Sequence, residues 1–375
     1  MAKKDFSFPT RAGKHSSQAH VGLPDGSYEE ELGRHGFFGP ATHIYHANAP
    51  TDWVNIEGDC KPRALDLNKA EVGGVHNRQL VLNNRNCEVY VLRNPNGQDA
   101  CYYRNADGDE VHFVHQGTGV LETDLGAIEY KAGDYLYIPR TMTYRFMGKD
   151  EQFRLIIQNT NALYGQPDRG ILGHHALYDP AVLRLPKLEA LEVPKPTEPN
   201  GQWKIAIKRA GRWTGLYHKR PPIDTIGYKG DHLPFALDIK DIRPVMSHRA
   251  HLAPSVHTTF VGEGFVICSF VPRPLEEDKT CLKVPFYHRN VEYDEVLFYH
   301  AGDFFSRDNI KPGWMTFHPT GIHHGPHPKA LKNQHSKERT DEYAVMIDTR
   351  QYLEVDQDAA DACEWKDYWK SWMEG

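Results

Sequence analysis

Residues 133–144 read GDYLYIPRTMTY and residues 313–324 read GWMTFHPTGIHH. Both open on a glycine and reach a proline six positions later, Gly133 to Pro139 and Gly313 to Pro319. The residues between are mostly aromatic, hydrophobic or β-branched, the composition of a short strand, and the proline closes it. Upstream of each lies a second match. Glu110 precedes Gly117 by seven positions, and Glu295 precedes Gly302 by seven. Glycine tolerates positive φ, so matching glycines imply matching turns. The spacing predicts an internal repeat, one unit in residues 76–160 and the other in 256–350.

Working outward, helical periodicity is scarce. Runs such as CEVYVLR, EVHFVHQG and DYLYIPR in the first unit, and GFVICSFVP, DEVLFYH and YAVMIDT in the second, alternate with Gly, Asp, Asn and Pro. Many short strands with frequent turns indicate an all-β sandwich or barrel. The expected division is an N-terminal barrel domain over 1–165, a connecting excursion over 166–245, a C-terminal barrel domain over 246–350 and a helical tail over 351–375. That tail, ending DQDAADACEWKDYWKSWMEG, spaces its tryptophans and Tyr368 like a short amphipathic helix that packs on its own domain.

Composition narrows the function classes. The 375 residues are 39% hydrophobic and 25% charged, enough for about two domains with a sizeable core. A net charge of −6 gives no support to nucleic-acid binding. No run approaches the roughly 18 apolar residues that span a bilayer. The opening MAKKDFSFPTRAGKHSS carries charge without an apolar stretch, so a signal peptide is not expected. The six cysteines (60, 87, 101, 268, 281, 363) show no CxxC spacing and read as reduced thiols in a cytoplasmic protein.

The second unit carries the chemistry. HRNVEYDEVLFYHAG (288–302) followed by GWMTFHPTGIHH resembles the cupin superfamily, whose motifs run HxHx(3–4)Ex6G and Gx5PxGxxH. The resemblance implies a small β-barrel, here present twice, with short peripheral helices. On the motif, His288, Glu295 and His324 fall at metal-ligand positions, and Asn290 stands where many cupins have another histidine. Two imidazoles and one carboxylate leave coordination positions open, the donor set of non-haem Fe(II) oxygen chemistry. His323 competes with His324, and Asp294 competes with Glu295, although the seven-residue step to Gly302 favours Glu295. In the first unit Tyr103, Asn105 and Tyr144 replace the histidines, and only Glu110 remains. His112 and His115 lie nearby at the wrong spacing. That barrel is expected to be structural and free of metal.

Several stretches resemble the homogentisate 1,2-dioxygenase family: FYHRN (286–290), HHGP (323–326), NADGD (105–109) and HLAPSV from His251. The likeness covers about residues 75–350 and is strongest over 285–327. It implies Fe(II) held by His288, Glu295 and His324, His251 as the acid/base group, and His318 as a histidine behind the ligands. The implied reaction joins homogentisate and dioxygen to give maleylacetoacetate, and the implied assembly is a homo-oligomer. A histidine of near-neutral pKa at 251 would take the phenol proton, with His248 and His257 as neighbouring alternatives. Arg289 is open between pairing with a substrate carboxylate and pointing outward. Two departures stand out. The step from Asn290 to Glu295 is one residue longer than in the family. Phe304 and Phe305 occupy the place of an active-site tyrosine, so another dihydroxy aromatic such as gentisate or hydroquinone stays open as substrate. A non-catalytic, ligand-binding double barrel is the reading from a different class.

Overall fold

Strands of the first repeat do not alternate in burial. Gly108–Gln116 and Gln152–Thr160 are buried at nearly every position, which places both in the middle of a covered sheet. The computed structural model describes residues 8, 10–18, 20–36, 38–191, 194–307, 309–333 and 336–373. In it the first barrel is built from two sheets. The seven-stranded sheet runs Phe235–Asp238, Asp134–Ile138, Gly108–Gln116, Gln152–Thr160, Cys87–Asn94, Gln79–Asn83, Glu354–Val355. The six-stranded sheet runs Arg212–His218, Trp203–Arg209, Tyr102–Asn105, Thr143–Gly148, Gly119–Thr123, Gly126–Tyr130. The region 166–245 is thus more than a connection, because it supplies an edge to each sheet of the first barrel.

The second barrel has its own six-stranded sheet: Thr258–Gly262, Phe265–Phe270, Asp341–Thr349, Asp294–Asp303, Trp314–His318, Arg63–Asp66. Facing it is a three-stranded sheet in which Tyr287–Asn290 pairs in parallel with Tyr28–His35, which pairs in turn with Phe38–His46. Three strands of the second barrel therefore come from the N-terminal 66 residues. Grouping 1–165 as one unit does not describe this pairing. Short β segments leave no local mark of which distant edge they join, so the misassignment follows from non-local pairing.

The barrels pack through one shared core. Phe113 and Leu155 of the first meet Phe298, Val345 and Ile347 of the second in a single buried cluster, with Phe113 and Phe298 ring centroids 6.2 Å apart. Each such side chain contributes roughly 1.5–3 kcal/mol on burial. Across the same seam His115 Nδ1 and His300 Nδ1 approach to 3.0 Å. The tail forms a helix over Gln357–Cys363 and a 3₁₀ turn over Tyr368–Trp372 rather than one continuous helix. Tyr368 and Trp372 are buried against Ala64, Trp53 and Trp314. All six cysteines are free. Among the described residues no helix is long and apolar enough to cross a membrane.

Candidate active site

Three chain segments converge inside the second barrel. His288 lies on the Tyr287–Asn290 strand and Glu295 at the start of the Asp294–Asp303 strand. His324 follows the turn after Trp314–His318. The backbones of His288 and His324 bond to each other in both directions, N–H to C=O at 2.9 and 3.1 Å. This close approach needs the following Gly325, where an added Cβ would stand 2.8 Å from the Phe286 carbonyl oxygen. The rings of His288 and His324 lie 4.1 Å apart, edge to face.

Hydrogen bonding fixes what these rings offer. His288 Nδ1 donates to the Phe286 carbonyl (3.1 Å), and His324 Nδ1 donates to the Ile322 carbonyl (3.3 Å). With Nδ1 protonated, each neutral ring turns an Nε2 lone pair inward. These nitrogens stand 3.5 and 3.7 Å from Glu295 Oε2. Three acceptors therefore face one another in a buried space, and one ligand atom from each of the three residues lies within 4.8 Å of the others. His324 Nε2 is buried without a hydrogen-bond partner. Such an arrangement is repulsive unless a cation sits among the three, so the residues fit a divalent metal. Burial alone would raise the Glu295 carboxyl, but the imidazoles of His324, His288 and His318 outweigh it and hold it well below the usual carboxylate range.

The neighbours sort themselves by direction. His318, fully buried, stacks on His324 at 4.8 Å and brings Nδ1 within 3.0 Å of Glu295 Oε1. Burial lowers its pKa to about 3. His323 turns the other way, to Glu30 (3.0 Å). Asp294 is occupied elsewhere, accepting from Thr320 N, Thr320 Oγ1 and Leu353 N, each at 2.7 Å. Arg289 reaches Glu30 at 3.5 Å and does not line the pocket beside the ligands. Successive residues of a strand face opposite sides, so with His288 inward Arg289 must leave the other way. The side chain of Asn290 lies outside the described part of the structure.

The pocket next to the triad is walled by Phe270, Val284, Pro285, Phe286, Leu297 and Phe305, with His251, Arg307 and Glu342 as polar members. Phe305 lines it, whereas Phe304 packs behind the wall on Tyr299 (4.9 Å), in the apolar cluster that includes Leu297. His251 is buried edge-on against Phe286. Its Nδ1 lies 3.2 Å from Glu276 Oε1, which leaves Nε2 as the acceptor. Its pKa is not near neutral: burial lowers it to about 4 despite Glu276. His257 instead accepts from Val245 N (2.9 Å), away from the triad. Sequence reasoning missed Glu276, Arg307 and Glu342. Arg307 donates to the Gly325 carbonyl (3.0 Å) and lies 4.0 Å from Glu295 Oε1. Burial pushes the Glu342 carboxyl up to about 7, with Arg307 and Arg273 opposing.

Known proteins align with this architecture. The family model described as Homogentisate 1,2-dioxygenase N-terminal matches residues 79–239, and the C-terminal one matches 245–374. A Saccharolobus solfataricus protein provisionally named a dioxygenase is 31% identical over 370 residues, covering 93% of this chain and 94% of the relative. Homogentisate 1,2-dioxygenase of Sinorhizobium medicae is 27% identical over 240 residues, 60% of this chain and 51% of that protein. The chain thus spans about half the length of the homogentisate 1,2-dioxygenases it matches. Among solved structures, a cupin 2 conserved barrel domain protein from Leptotrichia buccalis overlaps 79% of the chain and 99% of its own, at 11% identity and a TM-score of 0.33, too loose to bear weight. With both halves matched in order and the two-histidine, one-glutamate pocket in the second, the chain belongs to the homogentisate 1,2-dioxygenase family.

Proposed function

We propose that the protein is an Fe(II)-dependent dioxygenase that opens the ring of a dihydroxylated aromatic acid, with homogentisate as the substrate. The observation that supports this best is the convergence of three inward acceptors beside an aromatic-walled pocket that also holds a neutral histidine. His288, Glu295 and His324 would hold the Fe(II), which would supply Lewis acidity toward a phenol and the capacity to activate dioxygen. The protein supplies the rest. His251 Nε2 accepts the phenol proton, and Glu276 at Nδ1 steadies the imidazolium that forms. A pKa of about 4 makes His251 a weak base, yet one that is unprotonated throughout the neutral range. It suits a phenol already made acidic by a neighbouring cation. Arg307, in place of Arg289, is the pocket cation for a substrate carboxylate arm. The apolar walls exclude water and stack on the ring.

Phe305, where the family carries a tyrosine, removes a hydroxyl from the pocket wall and favours testing gentisate and hydroquinone beside homogentisate. Oxygen uptake by protein loaded anaerobically with Fe(II) decides among them. Turnover of homogentisate at the highest kcat/KM supports the proposal. A preference for gentisate or hydroquinone reassigns the substrate. Stoichiometric iron without uptake on any of the three overturns the catalytic reading in favour of ligand binding alone.

A further inference from the structure

A second set of ligand-type side chains meets on the N-terminal hairpin. Glu29 and Glu31 are two residues apart on the Tyr28–His35 strand, so they leave the same face. His43 lies directly opposite Glu31 in the antiparallel register. His20 comes from the preceding segment, where its carbonyl accepts from Leu282 N at 2.7 Å. Its φ of 55° lies in the left-handed region, a conformation a non-glycine residue keeps only when its surroundings impose it.

The donor atoms are close. One ligand atom each from His20, Glu31 and His43 lies within 4.8 Å of the other two. Glu29 Oε1 stands 3.2 Å from His20 Nδ1 and 2.6 Å from His43 Nδ1. Both are ion pairs when the imidazoles carry protons. Both Nδ1 atoms and both Glu29 oxygens are buried without a hydrogen-bond partner. Glu30, between the two acids, faces the opposite side toward His46, His323 and Arg289. The cluster therefore sets two carboxylates against two imidazoles, a balance that a charge of +2 completes.

We propose that His20, Glu31 and His43, with Glu29 alongside, bind a second divalent first-row transition cation, separate from the centre at His288, Glu295 and His324. Mixed imidazole and carboxylate donors suit zinc, iron, cobalt or manganese. His43 is partly exposed on a groove shared with Lys14, His15 and Ser16, which gives an ion an entry path. The ion ties together three chain segments, those carrying residues 20, 31 and 43. The His20 ring also lies 5.5 Å from Phe286 and 6.3 Å from His251, so the site sits one ring behind the pocket. The competing arrangement is a proton on His43 paired with Glu29, the contact that first raises its pKa.

The test needs no turnover. The 375-residue chain carrying His288→Ala and His324→Ala, with the first centre removed, is equilibrated with Zn²⁺, desalted and assayed for zinc by plasma mass spectrometry. One zinc per chain is expected, together with a zinc-dependent rise in Tm. Adding His43→Gln, Glu31→Gln or His20→Ala is expected to abolish both, with circular dichroism verifying the fold. His43→Gln, at a partly exposed strand position, keeps the experiment decisive if His20→Ala does not fold. No zinc retained by the His288→Ala/His324→Ala chain overturns the proposal. So does one zinc retained equally with and without His43→Gln and Glu31→Gln.

Discussion

Glu110 and Glu295 hold the same place in the two barrels. Each sits near the start of a central strand, opposite Ile138 or His318 on one neighbour and opposite Gln158 or Asp348 on the other. Both are buried, and burial would raise either carboxyl, yet both are held well below the usual range. The partners differ. Glu110 receives the Arg78 guanidinium, the Tyr144 hydroxyl at 2.8 Å and His112 Nε2 at 3.4 Å. Glu295 receives three imidazoles, two of which have their outer nitrogens bonded to carbonyls. A buried carboxylate must be matched by positive charge. Arg78 provides it on a side chain that cannot leave, and this fills the first barrel. In the second barrel the nearest fixed cation, Arg307, stands 4.0 Å off, and the inward Nε2 atoms of His288 and His324 leave a place for an ion, which can exchange and react.

The sharpest way to break this contrast is to remove a ligand. His288→Ala, Glu295→Ala or His324→Ala is expected to abolish iron retention and bring oxygen uptake to background, while circular dichroism stays unchanged. Iron that survives His324→Ala but not His323→Ala would reassign the ligand. Next in size, His251→Ala is expected to lower kcat roughly 10²–10⁴-fold at normal iron content. Its residual rate should climb with pH as more of the substrate ionises. A packing residue would leave that pH profile unmoved.

Glu110→Ala acts on the other barrel. It leaves Arg78 buried and unpaired, a loss of about 3–5 kcal/mol readable as a lower urea midpoint, with iron content and kcat unchanged. Loss of iron in that variant would mean that the first barrel also holds metal. Smaller again, His318→Ala removes the ring stacked behind His324 and is expected to weaken iron affinity about 10–100-fold, measured by competition with a chelator.

The smallest effect lies at the seam. Burial lowers His115 to about 3 and His300 to about 4, both below the ordinary 6.5. Between those values the unfolded chain binds more protons than the folded one, so stability falls as pH drops below about 6.5. His115→Phe should make Tm less steep in pH across that window, and an unchanged slope would remove the pair from acid denaturation.

The double barrel was legible because its signal is repeated: two glycine–proline strands and two glutamate–glycine steps at equal spacing. The triad was legible because cupin spacing concentrates it within 37 residues, 288 to 324. Other features carried no such mark. The parallel pairing of Glu30 with Tyr287 joins segments far apart in the chain, and a strand's sequence does not name its distant partner. Glu276, Arg307 and Glu342 are single charges outside any motif, visible only when the fold gathers them at one pocket. The near-neutral pKa expected for His251 failed because burial is a property of the surroundings. Arg289 was avoidable, since period-two alternation beside an inward His288 already excludes it.

The hairpin that completes the second barrel also sets an order of assembly. Residues 28–46 leave the ribosome roughly 250 residues before 287–290, the strand they must flank. At about 5–20 residues per second, that is a wait on the order of 10–50 s. During it most of the first barrel can form, short of its Glu354–Val355 edge, while the hairpin keeps an open edge available to other chains. The two-histidine, one-glutamate pocket is then assembled only after residues 287–324 have emerged. Crowded or accelerated expression should therefore produce chains with a sound first barrel and a mispaired second one, soluble in part and unable to retain iron.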